Sequence, residues 1–568
     1  MGNGGGPTKA QLSGGTSDSA RRFDTAVLYL SMFVMGGCGL AYEYTLSKMA
    51  SDLLGNSVRQ WAVIIGVMMF FMGVGADLQK YFSKHRLIEK LILTNLLVGL
   101  AGGFGPIALL YVYATWPDGY LFFQYALISG IGLLIGFEIP LLTRINERSG
   151  QELSINLGGI LKMDYIGALC GALAWVFVLP QFFSITESAF VLGILNLGAA
   201  MIALVYFRRE VSARRWYGGT LVAGLLSLML GLAAADEWTS FSEQNLYRDR
   251  ILLSKTTPFQ HIVLTRSPSG DTALYINGHL QFHSFDEHIY HEHLVHPALN
   301  VAPRRKNVLI LGGGDGLALR EVLRYPDVES VTLVDIDPAM TELASQHPIL
   351  RAMNANSLAS ERVHILDTDA VVAGEPILLQ VPNHRARHAV DESGPIVRVL
   401  NIDAVRFLEQ VPGLFDVILI DFPDPNAPEL SKLYSLQFYR LLRAKLALDG
   451  IFVQQSTSPV HATEAFLCIG RTLRAAGLAV VPYHDNIPSF GEWGWWIGGR
   501  DDRFSERRLR QVMQNLEPFS VPTRYLTPEL VGASLIFGRG QLETIETSIN
   551  TVTRDAVYQY YLEAWQRR

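Results

Sequence analysis

The sequence predicts two joined units, a membrane domain built from α-helices and an α/β domain with a doubly wound parallel sheet. The first half of the 568-residue chain is a succession of long apolar stretches. The second half alternates short β-branched runs with amphipathic helical patterns, which is the order typical of a parallel sheet covered by helices. Because the composition changes near residue 237 and the chain is too long for one core, we place the boundary there.

Apolar stretches dominate residues 23–237. They lie at about 25–47, 60–78, 91–113, 120–143, 160–181, 188–207 and 216–235. Each is long enough to cross a bilayer core, which takes about 20 helical residues. A buried globular helix would explain any one stretch, but seven in succession predict a multi-pass domain of about seven helices in the lipid bilayer of the cell (inner) membrane.

Residues 1–22 are rich in Gly, Ser and Thr, and we predict a disordered tail there because they contain too little apolar surface to fold. Composition also excludes several classes of site. The three cysteines, Cys38, Cys170 and Cys468, lack the spacing of a disulfide framework or a zinc site. With a net charge of −6, the chain offers no basic face, so nucleic acid is not an expected partner.

A small β-sheet is predicted for residues 238–285, at the start of the second unit. Short runs such as Gln260–Leu264 and Ala273–Phe282 alternate apolar and polar residues, and Asn277-Gly278 is a strong hairpin signal. The segment Asp286–His293 that follows contains three histidines and suggests metal ligands. No second ligand motif accompanies it, so we predict no metal.

The glycine-rich segment Gly312–Gly316 is the most informative motif of the chain. It follows a buried strand at 308–311 and precedes a helix that begins at about Leu317, so the backbone would turn tightly beneath a ligand. The next strand, 331–334, ends in Asp335, whose carboxylate is placed to accept both hydroxyl hydrogens of a ribose. This order of elements predicts a nucleoside site.

Further strands are expected at 363–366, 397–400, 417–420 and 451–454. Four acids, Asp315, Asp335, Asp403 and Asp421, fall just beyond strand ends, where ligands of such sheets bind. Four carboxylates in one crevice would raise each other's pKa unless a cation were present, so the site is predicted to bind a positively charged ligand.

The loop 420–428 carries two carboxylates, Asp421 and Asp424, three residues apart among three prolines that prevent a helix. A rigid carboxylate pair would bind an amine and serve as a base. The alternative is an ordinary proline-rich connection with solvated Asp side chains.

On these motifs the chain resembles the spermidine synthase (polyamine aminopropyltransferase) family over residues 245–500, in particular its membrane-attached bacterial branch. The resemblance rests on Gly312–Gly316, Tyr290-His-Glu292, Asp421-Phe-Pro-Asp424-Pro425 and Pro488–Gly494. It implies a Rossmann-like domain of the S-adenosylmethionine-methyltransferase type at 286–500. The pattern of residues 501–568 predicts a helical extension after it. It also implies a homo-oligomer.

The resemblance implies a transferase without a permanently bound cofactor. Decarboxylated S-adenosylmethionine, the co-substrate, would give a 3-aminopropyl group to a diamine such as putrescine, yielding spermidine and 5'-methylthioadenosine. Carried over by motif, the residues that would hold the thioadenosine are Gln260, Asp335, Asp403, Ala404 and Pro428. Those that would line the polyamine channel are His291, Asp315, Asp421 and Asp424.

The expected roles in the channel follow from the same motifs. Asp421 is the candidate general base, Asp424 would hold the distal ammonium, and Tyr290 would orient the nucleophile. A methyltransferase is the nearest alternative, and Asp315 argues against it. The α-carboxylate of ordinary S-adenosylmethionine would face Asp315 as a like charge, whereas the decarboxylated donor presents an ammonium.

The chain departs from the family in three places. Phe422-Pro423 replaces small hydroxyl residues, Ile487 replaces a tyrosine, and the extra residues at 371–395 read as a surface loop. The first two changes concern the choice of acceptor: they put putrescine in question, and they affect the expectation of aminopropyl transfer less.

Charges in the membrane half leave two questions open. Three acids, Glu43, Glu138 and Asp164, lie in or at the ends of apolar spans. They either pair with the nearby cations Lys48, Arg144 or Lys162, or they line a polyamine or proton pathway. A polyamine sensor or transporter is therefore a further alternative. The loop charges are expected on the cytoplasmic side, at Arg21-Arg22, Lys80–Lys90, Arg144–Arg148, Arg208-Arg209 and Arg214-Arg215. Seven spans would then place the second unit outside, although the donor is made in the cytoplasm.

Overall fold

The computed structural model describes residues 14–54, 57–81, 85–147, 153–360, 362–366, 394–542 and 546–566. The chain divides into two compact units, Met1–Arg248 and Asp249–Arg568, and each is considered by itself. The predicted surface loop at 371–395 falls almost entirely outside the described residues, as do residues 1–13 of the predicted tail.

The first unit is entirely α-helical within the described residues. Its helices are α1 (Gly14–Leu54), α2 (Ser57–Leu78), α3 (Leu87–Thr115), α4 (Tyr120–Gly136), α5 (Glu138–Glu147), α6 (Leu153–Phe177), α7 (Leu179–Phe182), α8 (Ile185–Tyr206), α9 (Arg214–Ala233) and α10 (Ala235–Gln244). Seven segments in the described ranges are long and apolar enough to cross a membrane. The seven predicted apolar stretches are therefore helices.

Two sequence-based boundaries in this unit differ from the structure. Helix α1 begins at Gly14, inside the predicted tail, because the Ala and Arg residues near position 20 support a helix well. At the other end, α10 continues beyond residue 237 and packs on the helices before it. Its Trp238 ring lies 6.4 Å from the ring of Phe190, so the first unit ends at Arg248 rather than at 237.

Close helix contacts in this unit depend on glycine. Helices α1 and α6 meet where Gly37 faces Gly171, and a Cβ atom at Gly171 would lie 2.3 Å from the Gly37 carbonyl oxygen. Small residues at such positions let backbones approach and pack without a gap, as is common among membrane helices. Helix α8 begins with a capping box, in which the Ser184 and Glu187 side chains satisfy each other's backbone N–H groups.

The second unit begins with a four-stranded antiparallel sheet of order β1-β2-β3-β4. The strands are β1 (Arg250–Thr256), β2 (His261–Arg266), β3 (Thr272–Ile276) and β4 (His279–His283). The predicted hairpin turn is present, with Asn277 and Gly278 at φ angles of 50° and 79°. Leu264, Leu274 and Phe282 pack from this sheet onto Leu317 and Met340 of the larger domain.

An eight-stranded sheet of order β11-β12-β10-β9-β5-β6-β8-β7 forms the centre of the unit. Its strands are β5 (Asn307–Gly312), β6 (Ser330–Asp335), β7 (Val363–Ile365), β8 (Ile396–Asn401), β9 (Phe415–Asp421), β10 (Leu446–Gln455), β11 (Leu478–Ile487) and β12 (Gly491–Arg500). The six predicted strands are all present. They pair in parallel from β7 to β10, so their carboxyl ends share one edge.

The sheet is mixed rather than purely parallel, which corrects the prediction. Strands β11 and β12 form an antiparallel hairpin, and β12 also runs antiparallel to β10. Pro482 and the glycines of β12 are unusual in strands, which hid this hairpin in the sequence. Gly491, at φ 81°, closes the turn between the two strands.

Helices cover both faces of the sheet. They are α11 (Glu287–Val301), α12 (Leu317–Val322), α13 (Pro338–Gln346), α14 (Pro348–Met353), α15 (Ala404–Gln410), α16 (Pro428–Ser431), α17 (Leu436–Lys445), α18 (Thr463–Ala475), α19 (Glu506–Gln514), α20 (Pro528–Ala533) and α21 (Ala556–Gln566). The extension after residue 500 is thus only partly helical. Its last helix, α21, packs against α18 and joins the core of one face through Ala556, Val557 and Tyr561.

Candidate active site

A cavity of about 530 Å³ lies at the carboxyl edge of the central sheet. The strand register brings the last residues of neighbouring strands together at this edge: Gly312 of β5 pairs with Asp421 of β9, and Asp335 of β6 pairs with Asn401 of β8. Nine of the ten predicted site residues line it, namely Gln260, Tyr290, His291, Asp315, Asp335, Asp403, Ala404, Asp421 and Asp424. Its volume suits a ligand of nucleoside size or somewhat larger.

Pro428 is the predicted site residue that is not among the cavity-lining side chains. It occupies the first turn of α16, where its fixed φ and missing N–H are compatible with a helix start. The next two residues, Glu429 and Leu430, line the cavity instead. Pro428 starts the helix that carries them, and its expected role as a donor contact stays a prediction.

The glycine turn brings backbone to the cavity wall at two points. Gly312 has a φ of 82°, and a Cβ atom there would lie 2.1 Å from the Asp421 carbonyl oxygen. At Gly314, a Cβ atom would lie 2.5 Å from Oδ2 of Asp335, to which the Gly314 N–H donates a 3.0 Å hydrogen bond. Only glycine allows the backbone to pass this close to both acids.

Asp335 ends β6 as predicted. Besides the Gly314 N–H, its carboxylate accepts a 2.8 Å hydrogen bond from the Asp337 N–H. Burial raises the pKa of Asp335 to about 6, although these two N–H groups partly oppose the rise. The carboxylate is thus held rigidly at the place where a ribose would bind.

Asp337 positions Gln260 and was not predicted as a functional residue. Its Oδ2 accepts hydrogen bonds of 2.9 Å from both the Gln260 Nε2 and the Thr257 hydroxyl. Its Oδ1 accepts from the Ala339 N–H and caps α13. The Val334-Asp-Ile-Asp337 sequence contained the signal, since an Asp before Pro338 is typical of a helix start.

Asp403 caps α15 and pairs with a cation. Its Oδ1 accepts from the Val405 N–H at 2.8 Å, and its Oδ2 lies 2.6 Å from the Lys432 Nζ. Burial alone would raise the pKa of Asp403, but the hydrogen bond and charge of Lys432 lower it below its ordinary value. Ala404, beside it, also lines the cavity.

Asp421 is hydrogen-bonded to Tyr290 within the cavity. The Tyr290 hydroxyl donates a 2.5 Å hydrogen bond to Oδ1 of Asp421. Burial raises the pKa of Asp421 to about 6, His291 opposes the rise and Asp315 adds to it. Burial also raises the pKa of Asp315, whose Oδ1 accepts a 2.8 Å hydrogen bond from the Leu317 N–H.

A cation faces these two acids from the cavity wall. Nδ1 of His291 lies 2.9 Å from the Glu287 carboxylate, which Arg320 also contacts through two N–H groups at 2.9 and 3.0 Å. Burial lowers the pKa of His291, but the hydrogen bond and charge of Glu287 outweigh it and raise the pKa to about 9. The charge of His291 in turn opposes the rise in the pKa of Asp315 and of Asp421, and its place in the polyamine channel stays a prediction.

Asp424 is surrounded by neutral donors. It accepts hydrogen bonds from Gln455 Nε2 at 3.4 Å, from the Thr457 hydroxyl at 3.3 Å and from the Tyr561 hydroxyl. Burial raises the pKa of Asp424 to about 6, and these hydrogen bonds partly oppose the rise. Tyr561 and its neighbour Trp565, which also lines the cavity, were missed because helix α21 carries no motif.

The carboxylates that could hold a metal ion near the histidine-rich segment are engaged in contacts with the protein. One group in the described part of the chain, Glu292, His296 and Glu321, has its ligand atoms close enough to hold a metal ion. The Glu292 carboxylate, however, accepts three backbone N–H bonds from residues 524–526, at 2.6 to 3.0 Å. Glu321 forms salt bridges with Arg320 and Arg324. The carboxylate oxygens of Glu292 and Glu321 already bind protein groups, so this cluster resembles a structural hydrogen-bond network more than a metal site.

The departures from the family pattern differ in their consequences. Phe422 and Pro423 both line the cavity, so they shape it. Ile487 is fully buried and is not among the lining residues that the structure describes.

Comparison with known proteins gives consistent matches. The family "Spermine/spermidine synthase domain" matches residues 287–373 and 383–509. A polyamine aminopropyltransferase of Ralstonia nicotianae is 37% identical over 95% of this chain and 98% of its own length, and one of Leptospira interrogans is 36% identical over 95% and 99%. A crystal structure of spermidine synthase with the transition state analogue AdoDATO superposes at 22% identity and a TM-score of 0.40, covering 52% of this chain and 88% of that one.

Proposed function

The chain belongs to the polyamine aminopropyltransferase (spermidine synthase) family, and from this premise we propose that it transfers a 3-aminopropyl group from decarboxylated S-adenosylmethionine to a diamine such as putrescine. The observation that carries the proposal is the set of three carboxylates in one cavity, Asp315, Asp421 and Asp424. The expected products are spermidine and 5'-methylthioadenosine.

The donor would occupy the glycine-turn end of the cavity. Asp335 would bind the ribose hydroxyls, and Gln260 and Asp403 line the same cavity. The aminopropyl ammonium would pair with Asp315, which follows the glycine turn directly. An opposite charge stabilises this carboxylate in its ionised form, whereas the α-carboxylate of intact S-adenosylmethionine would repel it.

The acceptor amine would attack from the side of Asp421. Its nitrogen forms a bond to the propyl carbon beside the sulfonium while the carbon–sulfur bond breaks, and sulfur keeps the electron pair as the neutral thioether of methylthioadenosine. The proton that the nitrogen gives up passes to Asp421, directly or through water. An alkylammonium has a pKa of about 10, well above that of an ordinary carboxyl group. The raised pKa of Asp421 and desolvation of the amine both reduce this difference in pKa, which favours the proton transfer.

Product analysis by mass spectrometry tests the reaction. The detergent-purified protein is incubated with decarboxylated or intact S-adenosylmethionine and a panel of diamines. Aminopropylated diamine with methylthioadenosine, formed from the decarboxylated donor alone, is the expected result. A methylated product from the intact donor would establish the methyltransferase alternative instead.

We further propose that the first unit is a multi-pass domain of the cell membrane. Support comes from its outward-facing surface, where large apolar side chains on helices long enough to span a bilayer are exposed. Examples, with exposed fractions of 60% or more, are Met69, Phe70, Phe122, Leu169, Phe177 and Leu230. The protein is expected to stay with membranes during alkaline carbonate extraction, and release into the supernatant would contradict this.

Protease treatment of intact spheroplasts then tests on which side the second unit lies. Cleavage in intact cells would agree with the loop charges, and protection until lysis would agree with a cytoplasmic donor. Mass photometry in detergent tests the homo-oligomer that the family resemblance implies.

Polyamine transport is a second candidate function because the first unit buries two of the acids that the sequence singled out. Among the described residues, Oε1 of Glu43 and Oε2 of Glu138 are buried and have no hydrogen-bond partner. Lys48 pairs with Asp52 instead. Uptake of labelled putrescine by cells that express Asp421→Asn distinguishes the two: flux that survives loss of the transferase would support transport.

A further inference from the structure

Helix α21 reaches the active site from outside the region that the family match covers. The match ends at residue 509, whereas α21 spans Ala556–Gln566. Two of its side chains, Tyr561 and Trp565, line the same cavity as Asp421 and Asp424. Tyr561 is almost fully buried, and Trp565 is 44% exposed, so the pair extends from the interior of the cavity to its rim.

A hydrogen-bonded chain connects these aromatic residues to the carboxylate. The Trp565 indole donates to the Tyr561 hydroxyl, which in turn donates to Asp424. The two rings lie 6.1 Å apart, and the Trp565 ring lies 6.3 Å from that of His461. An aromatic wall therefore stands directly beside the acid that was expected to hold the distal ammonium.

Asn550 fixes the helix in this position. It is fully buried, and its amide Nδ2 donates to the Ser431 carbonyl at 2.8 Å. Its backbone N–H donates to the Thr472 hydroxyl at 3.0 Å, and its carbonyl accepts from the Leu436 N–H at 2.9 Å. Three separate elements of the domain thus hold the segment that leads into α21, so the helix is a docked part of the fold.

The surroundings of Asp424 suit a ligand cation. The groups that the structure shows donating to it, from Gln455, Thr457 and Tyr561, are all neutral, whereas Asp403, which lines the same cavity, is paired with Lys432. A buried carboxylate with neutral donors has a charge left for a ligand to balance. Aromatic faces within about 6 Å add cation–π attraction for an ammonium.

We propose that α21 forms the far wall of the acceptor subsite, with Tyr561 positioning Asp424 for the distal ammonium and the Tyr561–Trp565 pair limiting the length of the diamine. This inference rests on the proposed aminopropyl transfer and adds a specificity determinant outside the region that the family match covers. A short diamine would span from Asp421 to Asp424, and a longer amine would meet the aromatic pair.

The test compares full-length wild type with Tyr561→Phe, Trp565→Ala and the control Gln559→Ala. Gln559 lies on the exposed face of the same helix. Initial rates with diamines of three to six carbons and with a triamine give KM and kcat for each acceptor. We expect Tyr561→Phe to raise the KM for the best diamine about tenfold with the KM for the donor unchanged, because one hydrogen bond to a charged group is lost. Trp565→Ala should move the preference toward longer acceptors, and Gln559→Ala should match wild type.

Calorimetric binding of diamine and of methylthioadenosine to each protein separates the possible failures. If wild type transfers the aminopropyl group but both variants keep its acceptor KM and length preference, the inference about α21 is wrong and the proposed function stands. Equal losses for donor and acceptor would show a merely structural role and also overturn the inference. If wild type neither binds diamine nor transfers, the proposed function fails, and the inference fails with it.

Discussion

The Tyr290 hydroxyl donates a 2.5 Å hydrogen bond to Oδ1 of Asp421. The pKa of Tyr290 lies well above its ordinary value, because burial and the neighbouring Asp421 charge both disfavour a phenolate. Tyr290 therefore keeps its proton and donates the hydrogen bond to the ionised carboxylate of Asp421. The hydrogen bond fixes the orientation of the Asp421 carboxylate and occupies only its Oδ1. A general base needs such a fixed orientation and an oxygen that can accept the proton.

Replacing Asp421 by Asn should lower kcat by roughly 10² to 10⁴-fold, the usual contribution of a general base. The amide keeps the size of the side chain and its acceptor oxygen for Tyr290 but does not take up the amine proton. Steady-state kinetics with both substrates, together with methylthioadenosine binding, measure the effect. Donor binding should be unchanged, and the matched control Tyr290→Phe, which loses only the orienting bond, should lose about tenfold. A full rate in Asp421→Asn would mean that the base is elsewhere.

Asp315 should decide which form of the donor binds. Asp315→Asn is expected to raise the KM for decarboxylated S-adenosylmethionine by about 10 to 100-fold, because the pairing of opposite charges is lost. Inhibition by intact S-adenosylmethionine should strengthen at the same time, since its α-carboxylate no longer meets a like charge. Competition assays with both forms measure the ratio. As a control, Asp335→Asn at the ribose position should weaken both forms equally; the same result for Asp315→Asn would contradict the assigned role.

The raised pKa of Asp424 predicts opposite effects of pH on stability and on binding. Without ligand, the native state favours the protonated acid, so this stabilisation is present below the unfolded pKa of about 4 and is lost as pH rises through about 6. Asp424→Asn should therefore melt roughly 5 °C above wild type at pH 8, and the difference should vanish near pH 4. Differential scanning fluorimetry in detergent measures this.

Diamine binding should show the reverse dependence at Asp424. An ammonium pairs with the ionised carboxylate, so wild-type affinity should rise between about pH 5 and 7, whereas Asp424→Asn should bind weakly throughout. Calorimetry across this range provides the measurement. An affinity that is independent of pH in wild type would place the distal ammonium elsewhere.

The sequence predicted which acids meet at the cavity, because these residues follow a local rule. Asp335, Asp403 and Asp421 each stand just beyond a β-branched run, and parallel strands in register bring such ends together. The proline-bounded loop placed Asp424 beside them for the same reason. Pro428 was predicted from the family motif alone. It starts helix α16, and its neighbours Glu429 and Leu430 line the cavity.

Long-range contacts explain what the sequence did not predict. Tyr561 is 137 residues from Asp424 in the sequence and has no local pattern that relates the two, so only the packing of α21 on the domain connects them. The β11–β12 hairpin was hidden by a different conflict, since its glycines and Pro482 disfavour strands and are accepted only because β12 pairs on both sides. Tertiary context outweighed propensity in both cases.

The pair Glu287–His291 should set the acid limb of the rate profile. Glu287→Gln removes the charge that raises the pKa of His291, so this histidine becomes neutral near pH 7 and no longer lowers the pKa of Asp421. The pH at which kcat/KM reaches half its plateau should then move upward from about 6, because Asp421 ionises later. Loss of packing alone would lower the plateau without moving this midpoint. Asp327→Asn, which removes a surface salt bridge with Arg305, is the control for a change of charge far from the site and should leave the profile unchanged. An unmoved midpoint in Glu287→Gln would mean that His291 does not control the ionisation of Asp421.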